Sequence, residues 1–275
     1  MLVPIPEPYD FDRSTARFRA FGPDLANVWH DGALLRVVDG QEVRIEPADG
    51  GVDVEPWSPR IEGVVEKLLG LEFDLHAFSE WACAADPVLS GLVARLAGLR
   101  PPVVPDPFES LVTSITAQQV SLRAAFAIRS RFVERFGHRA GRAYSFPTAE
   151  RVAATDPEEL TAIGFSRRKA EYVVGLARAD LDLDGLRALD DDAVRARLTA
   201  LRGLGEWSAD WFLARHLARP RAWPAGDLGL RKAVSAFYGD GVQLTTEEVR
   251  AMSPRFDPFQ NLTAHYLLVG WLQSD

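Results

Sequence analysis

The spacing of hydrophobic residues changes partway along the chain. Between residues 10 and 57 they tend to alternate with polar ones, which reads as β-rich. Leu34 to Val38 and Gln41 to Glu46 flank Asp39-Gly40, a two-residue link that tolerates positive φ, so the pattern predicts a β-hairpin. Val43 and Ile45 alternate with Glu42, Arg44 and Glu46, as in a strand with one wet face. Asp49-Gly50-Gly51 predicts another turn before Val52 and Val54 open a further strand. Ile61, Val64, Val65, Leu68 and Leu69 then recur at helical spacing, and Gly70 supplies a stop. This part reads as a small antiparallel sheet backed by helices, with no evident chemistry.

From Asp86 onward the period is helical. Asp86-Pro87 opens a helix expected to reach Leu99, before Arg100-Pro101-Pro102. Asp106-Pro107-Phe108-Glu109 predicts a helix start with Glu109 closing a capping box, and Asp156-Pro157-Glu158-Glu159 repeats it. Ser121 caps a helix that stops at Gly137; Ser166 starts a basic turn, Arg167-Arg168-Lys169. Asp190-Asp191-Asp192 begins a helix that enters Gly203-Leu204-Gly205, a tight hairpin, and a second helix starts near Glu206. Thr245 and Glu248 form a further capping box, and a last apolar helix spans roughly Leu262 to Trp271. The expected fold class is α+β: a β-rich domain over residues 1–85, then a helical region over 86–275. A helix–hairpin–helix motif is expected at about 190–216.

Composition narrows the function. No run of apolar residues approaches the roughly 18 that a membrane helix needs. A single cysteine, Cys83, excludes an internal disulfide and any four-cysteine zinc or iron–sulfur site. A cytoplasmic, monomeric protein is expected. The net charge of −8 argues against a general nucleic-acid binder. Between Arg195 and Lys232, however, eight basic residues face three acids, so that segment carries +5. The local sign decides what meets phosphate.

Gly203 and Gly205 allow backbone conformations that other residues resist and let a sugar–phosphate chain approach closely. Leu198, Leu201 and Leu204 would pack the two helices together. Asp227 follows a Pro-Ala-Gly turn and, by local pattern, caps a helix from Leu228 to Phe237. The five histidines lack metal-ligand spacing, and no nucleotide-binding fingerprint is present.

These motifs together resemble the helix–hairpin–helix, Gly/Pro-Asp superfamily of base-excision DNA glycosylases, within it the branch of 3-methyladenine DNA glycosylase II. The resemblance rests on Asp106 to Ser121, Phe146 to Gly164, the hairpin with Trp207-Ser208-Ala209, and Asp227-Leu228-Gly229-Leu230. It implies duplex DNA as partner and no required cofactor. Asp227 matches the catalytic aspartate, beside a nucleotide flipped out of the duplex. Gly203, Leu204, Gly205, Ser208 and Arg202 match the DNA-holding hairpin. Backbone carbonyls of Thr199, Leu201 and Leu204 match a monovalent cation site (Na⁺ or K⁺). Gln119 matches the residue that fills the gap left by the flipped base.

Trp207 stands where lyase-active relatives carry a Schiff-base lysine, which implies hydrolysis without strand nicking. Trp207 and Trp211 share a helix face and match aromatic pocket positions suited to cationic alkylated purines; the alternative for both is core packing. Leu228 and Leu268 occupy pocket positions where relatives present rings, which widens the substrate range to consider. The alternatives are a glycosylase for deaminated or oxidised bases and a non-catalytic DNA-binding module.

Overall fold

A computed structural model describes residues 1–274. The sheet has five antiparallel strands in the order β1-β5-β4-β3-β2: β1 (Leu2–Pro4), β2 (Val28–His30), β3 (Ala33–Val38), β4 (Gln41–Ala48) and β5 (Gly51–Glu55). The predicted hairpin is present, with Val38 opposite Gln41 and positive φ at both Asp39 and Gly40. Val43 and Ile45 on β4 are buried while their neighbours are wetter, as the alternation requires. The second turn is tighter than expected: Ala48 pairs with Gly51, so Gly51 already belongs to β5.

The first twenty residues depart from the β-rich expectation. Between β1 and β2 lie two short helices, α1 (Phe11–Thr15) and α2 (Arg17–Ala20). Asp10 caps α1, its Oδ1 accepting the Arg13 N–H at 2.9 Å. Ser14 Oγ accepts the Arg100 N–H at 3.0 Å, and Gly98 C=O accepts the Asp10 N–H at 2.9 Å. Contacts some 85 residues away therefore fix these helices against the helical region. After the sheet, α3 (Pro59–Leu68) places Ile61, Val65 and Leu68 against Val3, Leu34, Ile45 and Val54.

The helices that follow are α4 (Leu75–Ala85), α5 (Pro87–Arg95), α6 (Pro107–Ala117), α7 (Leu122–Phe136), α8 (Ala149–Ala153), α9 (Pro157–Ala162) and α10 (Arg167–Ala177). Then come α11 (Asp191–Thr199), α12 (Glu206–Arg215), α13 (Leu228–Tyr238), α14 (Thr246–Ala251) and α15 (Gln260–Leu272). They form two cores. One joins α6 to α12 around Leu111, Phe132, Val173 and Phe212; the other joins α4 and α5 to α13–α15 around Phe78, Leu89, Val234 and Tyr266. By packing, α4 sides with the helical region although it precedes residue 86. None of the helices among the described residues is long and apolar enough to cross a membrane.

Four local expectations are corrected. Helix α5 ends at Arg95, not Leu99, because the chain turns at Gly98 to receive Asp10. The basic turn after Ser166 is the first turn of the eleven-residue α10. Asp106 caps α6 as expected, but Glu109 does not close a capping box; it turns inward to Arg36 and Arg129. Asp156 caps α9 through the Glu158 N–H, while Glu159 reaches Arg135 instead. In both cases a guanidinium outcompetes a neutral N–H for the carboxylate. At Thr245 and Glu248, with no arginine to compete, the capping box forms.

Candidate active site

The hairpin between α11 and α12 is built by one glycine conformation. Gly203 has φ of +96°, and a Cβ there would overlap the Tyr172 ring. Gly205 is different: its φ of −116° is open to any residue, so the expectation of a special conformation at both glycines is corrected. What Gly205 offers is clearance, since a Cβ there would meet nothing within 4 Å. As N-cap of α12 it also brings no side chain to the first-turn N–H groups, which remain available to an anion. Leu198 and Leu204 are buried between the two helices, and Leu201 packs partly against the same core.

Asp227 caps α13: its Oδ1 accepts the Leu230 N–H at 2.9 Å. Its other oxygen, Oδ2, accepts two indole N–H groups, from Trp207 at 2.8 Å and Trp211 at 3.1 Å. The cap thus uses one oxygen and leaves the other to the two indoles. The helical i, i+4 spacing of the tryptophans is what lets both edges converge on one atom. Three donors fix the carboxylate's orientation at the wall of a cleft of about 1070 Å³.

The cleft lies at the seam of the two helical cores, where Leu268 packs against both. Leu268 Cδ2 stands 3.3 Å from the place a Cβ on Gly229 would take, beside the carboxylate. Leu228 is 55% exposed and lines the cleft at the start of α13. Trp207 is half-buried; Trp211 is 4% exposed, so its ring belongs partly to the core. The Arg215 guanidinium lies 3.5 Å from the Trp211 ring centroid and covers that face. The His265 ring is 5.9 Å from the same indole.

Gln119 is exposed on the cleft's lip and holds φ of +55°, a conformation that costs a non-glycine residue energy. Its neighbour Gln118 explains how the loop is held. Gln118 Nε2 donates to Gly203 C=O at 2.8 Å and approaches Ser208 Oγ at 3.5 Å, tying the α6–α7 loop to the hairpin. Ser208 is buried behind that contact. Arg202 is exposed, near the Tyr172 ring and 3.5 Å from Glu171. The three carbonyls named for a cation surround the hairpin; that of Leu201 already accepts the Leu204 N–H at 3.1 Å.

The +5 segment is less available than its composition implies, because Arg195, Arg219 and Arg221 pair with Asp210, Asp191 and Asp257. Sequence reasoning missed Gln118, Arg17, Arg215 and His265. Arg215 had a signal: it follows Trp211 by four on one helix. Arg17 had none, since the N-terminal part showed no chemistry, yet it lines the cleft from α2. Among the described residues no lysine lines the cleft. Lys67 and Lys169 bond to the carbonyls of Pro105 and Thr116, and Lys232 faces Trp271.

Comparison with known proteins finds relatives over most of the chain. Residues 112–256 match the model of the HhH-GPD superfamily of base excision DNA repair proteins. A DNA-3-methyladenine glycosylase of Bacillus subtilis (strain 168) is 30% identical over 242 residues, 85% of this chain and 80% of its own. DNA-3-methyladenine glycosylase 2 of Escherichia coli (strain K12) is 30% identical over 198 residues, 67% of each chain. The solved structure of a 3-methyladenine DNA glycosylase from Archaeoglobus fulgidus superposes with a TM-score of 0.89 at 26% identity. It covers 98% of this chain and 97% of that one.

Proposed function

This chain belongs to the HhH-GPD superfamily of base excision DNA repair proteins, in the branch of 3-methyladenine DNA glycosylase II, and from that premise we propose its reaction. It hydrolyses the N-glycosidic bond of alkylated bases in duplex DNA and does not nick the strand. The observation that carries this reading is the Asp227 carboxylate, aimed by two indoles and a backbone N–H into a cleft large enough for a nucleotide.

Phosphates dock on the open N–H groups at the start of α12, and Gly205 admits the backbone. Arg202 adds charge beside them. Gln119 enters the space left by the extruded nucleotide; its αL backbone carries the side chain at the tip of a loop that Gln118 braces. The base enters the cleft between the Trp207 side and Leu268, with Leu228 at the mouth. As the glycosidic bond lengthens, the sugar gains oxocarbenium character, and Asp227 stabilises that charge and takes a proton from the attacking water. Both roles need a carboxylate of fixed direction.

Hydrolysis rather than Schiff-base chemistry follows from the side chain at 207. An indole N–H is a donor and no nucleophile, and the lysines sit elsewhere. A monovalent cation at the carbonyls of Thr199, Leu201 and Leu204 would bridge the hairpin to phosphate. Of the three, Thr199 ends α11, where last-turn oxygens lack helical donors, and the Leu201 carbonyl would be shared with the Leu204 N–H.

The test is single-turnover release of 3-methyladenine from methylated duplex DNA. Asp227→Asn is expected to slow it by about 10²–10⁴-fold. An unchanged rate overturns the role of Asp227. Strand nicking by the wild-type chain without added base overturns hydrolysis-only chemistry.

A further inference from the structure

The hairpin between α11 and α12 has a counterpart earlier in the chain. Leu160-Thr161-Ala162-Ile163-Gly164-Phe165 repeats Leu198-Thr199-Ala200-Leu201-Gly203-Leu204 with one residue, Arg202, left out. Ala170-Glu171-Tyr172-Val173-Val174 then matches Ala209-Asp210-Trp211-Phe212-Leu213. The folded segments agree. Helix α9 ends at Ala162 and α11 at Thr199, and Gly164 has φ of +107° where Gly203 has +96°. Phe165 and Leu204 are buried, as are Ala170 and Ala209 in the first turns of α10 and α12. The chemistry differs: α10 carries Arg168 and Tyr172 where α12 carries Trp207 and Trp211, and Tyr172 packs against Gly203. The two hairpins are neighbours, since Glu171 lies 3.5 Å from both Arg167 and Arg202. Each is also tied to the end of α6. Lys169 Nζ donates to Thr116 C=O at 2.9 Å, and Gln118 reaches Gly203 C=O, so both border the loop that carries Gln119.

The earlier hairpin is charged by a side chain from outside it. Ser166 caps α10, its Oγ accepting the Lys169 N–H at 3.4 Å, so the first-turn N–H groups are less open than at Gly205. Arg131 on α7 crosses instead to the turn: its Nε donates to Ile163 C=O at 2.6 Å, and a Cβ on Gly164 would overlap its guanidinium. Ile163 stands where Leu201 stands in the later hairpin. Arg131 is exposed and makes no ion pair among the described residues, and the same holds for Arg168. One bond through Nε leaves the terminal N–H groups of Arg131 for a bidentate acceptor, the geometry that matches phosphate. We propose that this earlier hairpin, charged by Arg131 and Arg168, holds a duplex phosphate beyond those that dock on α12. This rests on the glycosylase reading above. Phosphate contacts set register and orientation rather than sequence, so a second grip beside Gln119 steadies the backbone while a nucleotide is extruded. With no counterpart of the two tryptophans, this hairpin holds DNA and takes no part in the chemistry.

The test measures binding of the full chain to a duplex holding one tetrahydrofuran abasic-site analogue over a range of salt concentrations. Each phosphate held adds about 0.9 to the steepness of log affinity against log salt. Arg131→Gln is therefore expected to make that slope shallower by about 0.9, and Arg168→Gln to make it shallower too. Arg131→Lys keeps most of the slope, because the charge stays. Arg135→Gln, one turn further along α7 and paired with Glu159, is the control for a change of net charge and leaves the slope as it is. An unchanged slope in Arg131→Gln overturns the proposal, as does an equal loss in Arg135→Gln, which marks a general charge effect. Either result with 3-methyladenine still released by the wild-type chain overturns this proposal alone. No binding of the duplex and no release of 3-methyladenine by the wild-type chain overturns the glycosylase reading with it.

Discussion

Two groups of arginines, one buried and one partly buried, are treated in opposite ways. On the sheet side, Arg36 from β3 and Arg129 from α7, which also lines the cleft, share the Glu109 carboxylate, Arg129 also pairs with Asp24, and Asn27 Oδ1 accepts from Arg36 at 2.7 Å. Burial alone would raise the Glu109 carboxyl, but the two guanidinium charges and their hydrogen bonds outweigh it and hold it below its ordinary value. This network pins the sheet to the helical region, and nearly every polar atom in it is served. Inside the cleft, Arg17 and Arg215 face each other's charge, and among the described residues neither has a counter-ion in contact. Desolvating a charge is costly unless it is paired, so the first group explains itself as structure, while the second, only partly buried, keeps its charge toward the cleft.

That contrast can be broken at its strongest point. Glu109→Gln leaves two buried guanidiniums short of a counter-charge and is expected to destabilise the fold by about 3–5 kcal/mol, read from the denaturant midpoint. A loss below about 1 kcal/mol would mean that hydrogen bonding alone holds the sheet on the helices.

The histidines carry the comparison into pH dependence. His216, at 2.8 Å from Val104 C=O, is pushed down from 6.5 to about 4, chiefly by burial. Between those values the unfolded chain binds a proton that the folded chain refuses. Stability is therefore full above pH 6.5 and is lost as pH falls toward 4, by about 3 kcal/mol from this residue. Thermal unfolding of His216→Gln should show a shallower decline over the same range. Equal slopes would remove His216 as the cause.

The smallest effect is the sharpest discriminator. Arg215→Met removes an unpaired charge and keeps an apolar chain against Trp211, so stability is expected to hold or rise by about 1 kcal/mol. A clear loss in the denaturant midpoint would make Arg215 a structural residue like Arg129.

Local chemistry was readable along the chain because its partners lie three or four residues apart. The caps at Asp106, Ser121, Asp190 and Asp227, the Asp39-Gly40 hairpin and the Thr245–Glu248 box all form from such contacts. Trp207 and Trp211 could likewise be placed on one face. Their hydrogen bonds to Asp227 could not be anticipated, since an indole edge and a ring face look alike in a sequence. Glu109 read as half of a capping box until arginines from β3 and α7 claimed it. Arg17 was hidden by a segment that looked like sheet, and the helix just before it, α1, is fixed by Gly98 and Arg100, far along the chain.

Short-range hydrogen bonding and hydrophobic period therefore settled most helix starts, the two hairpins and the position of Asp227 from sequence alone, but not α1 and α2. Tertiary packing decided which charges were matched and which were left facing the cleft. Whether a buried charge finds a partner depends on groups that only folding brings together.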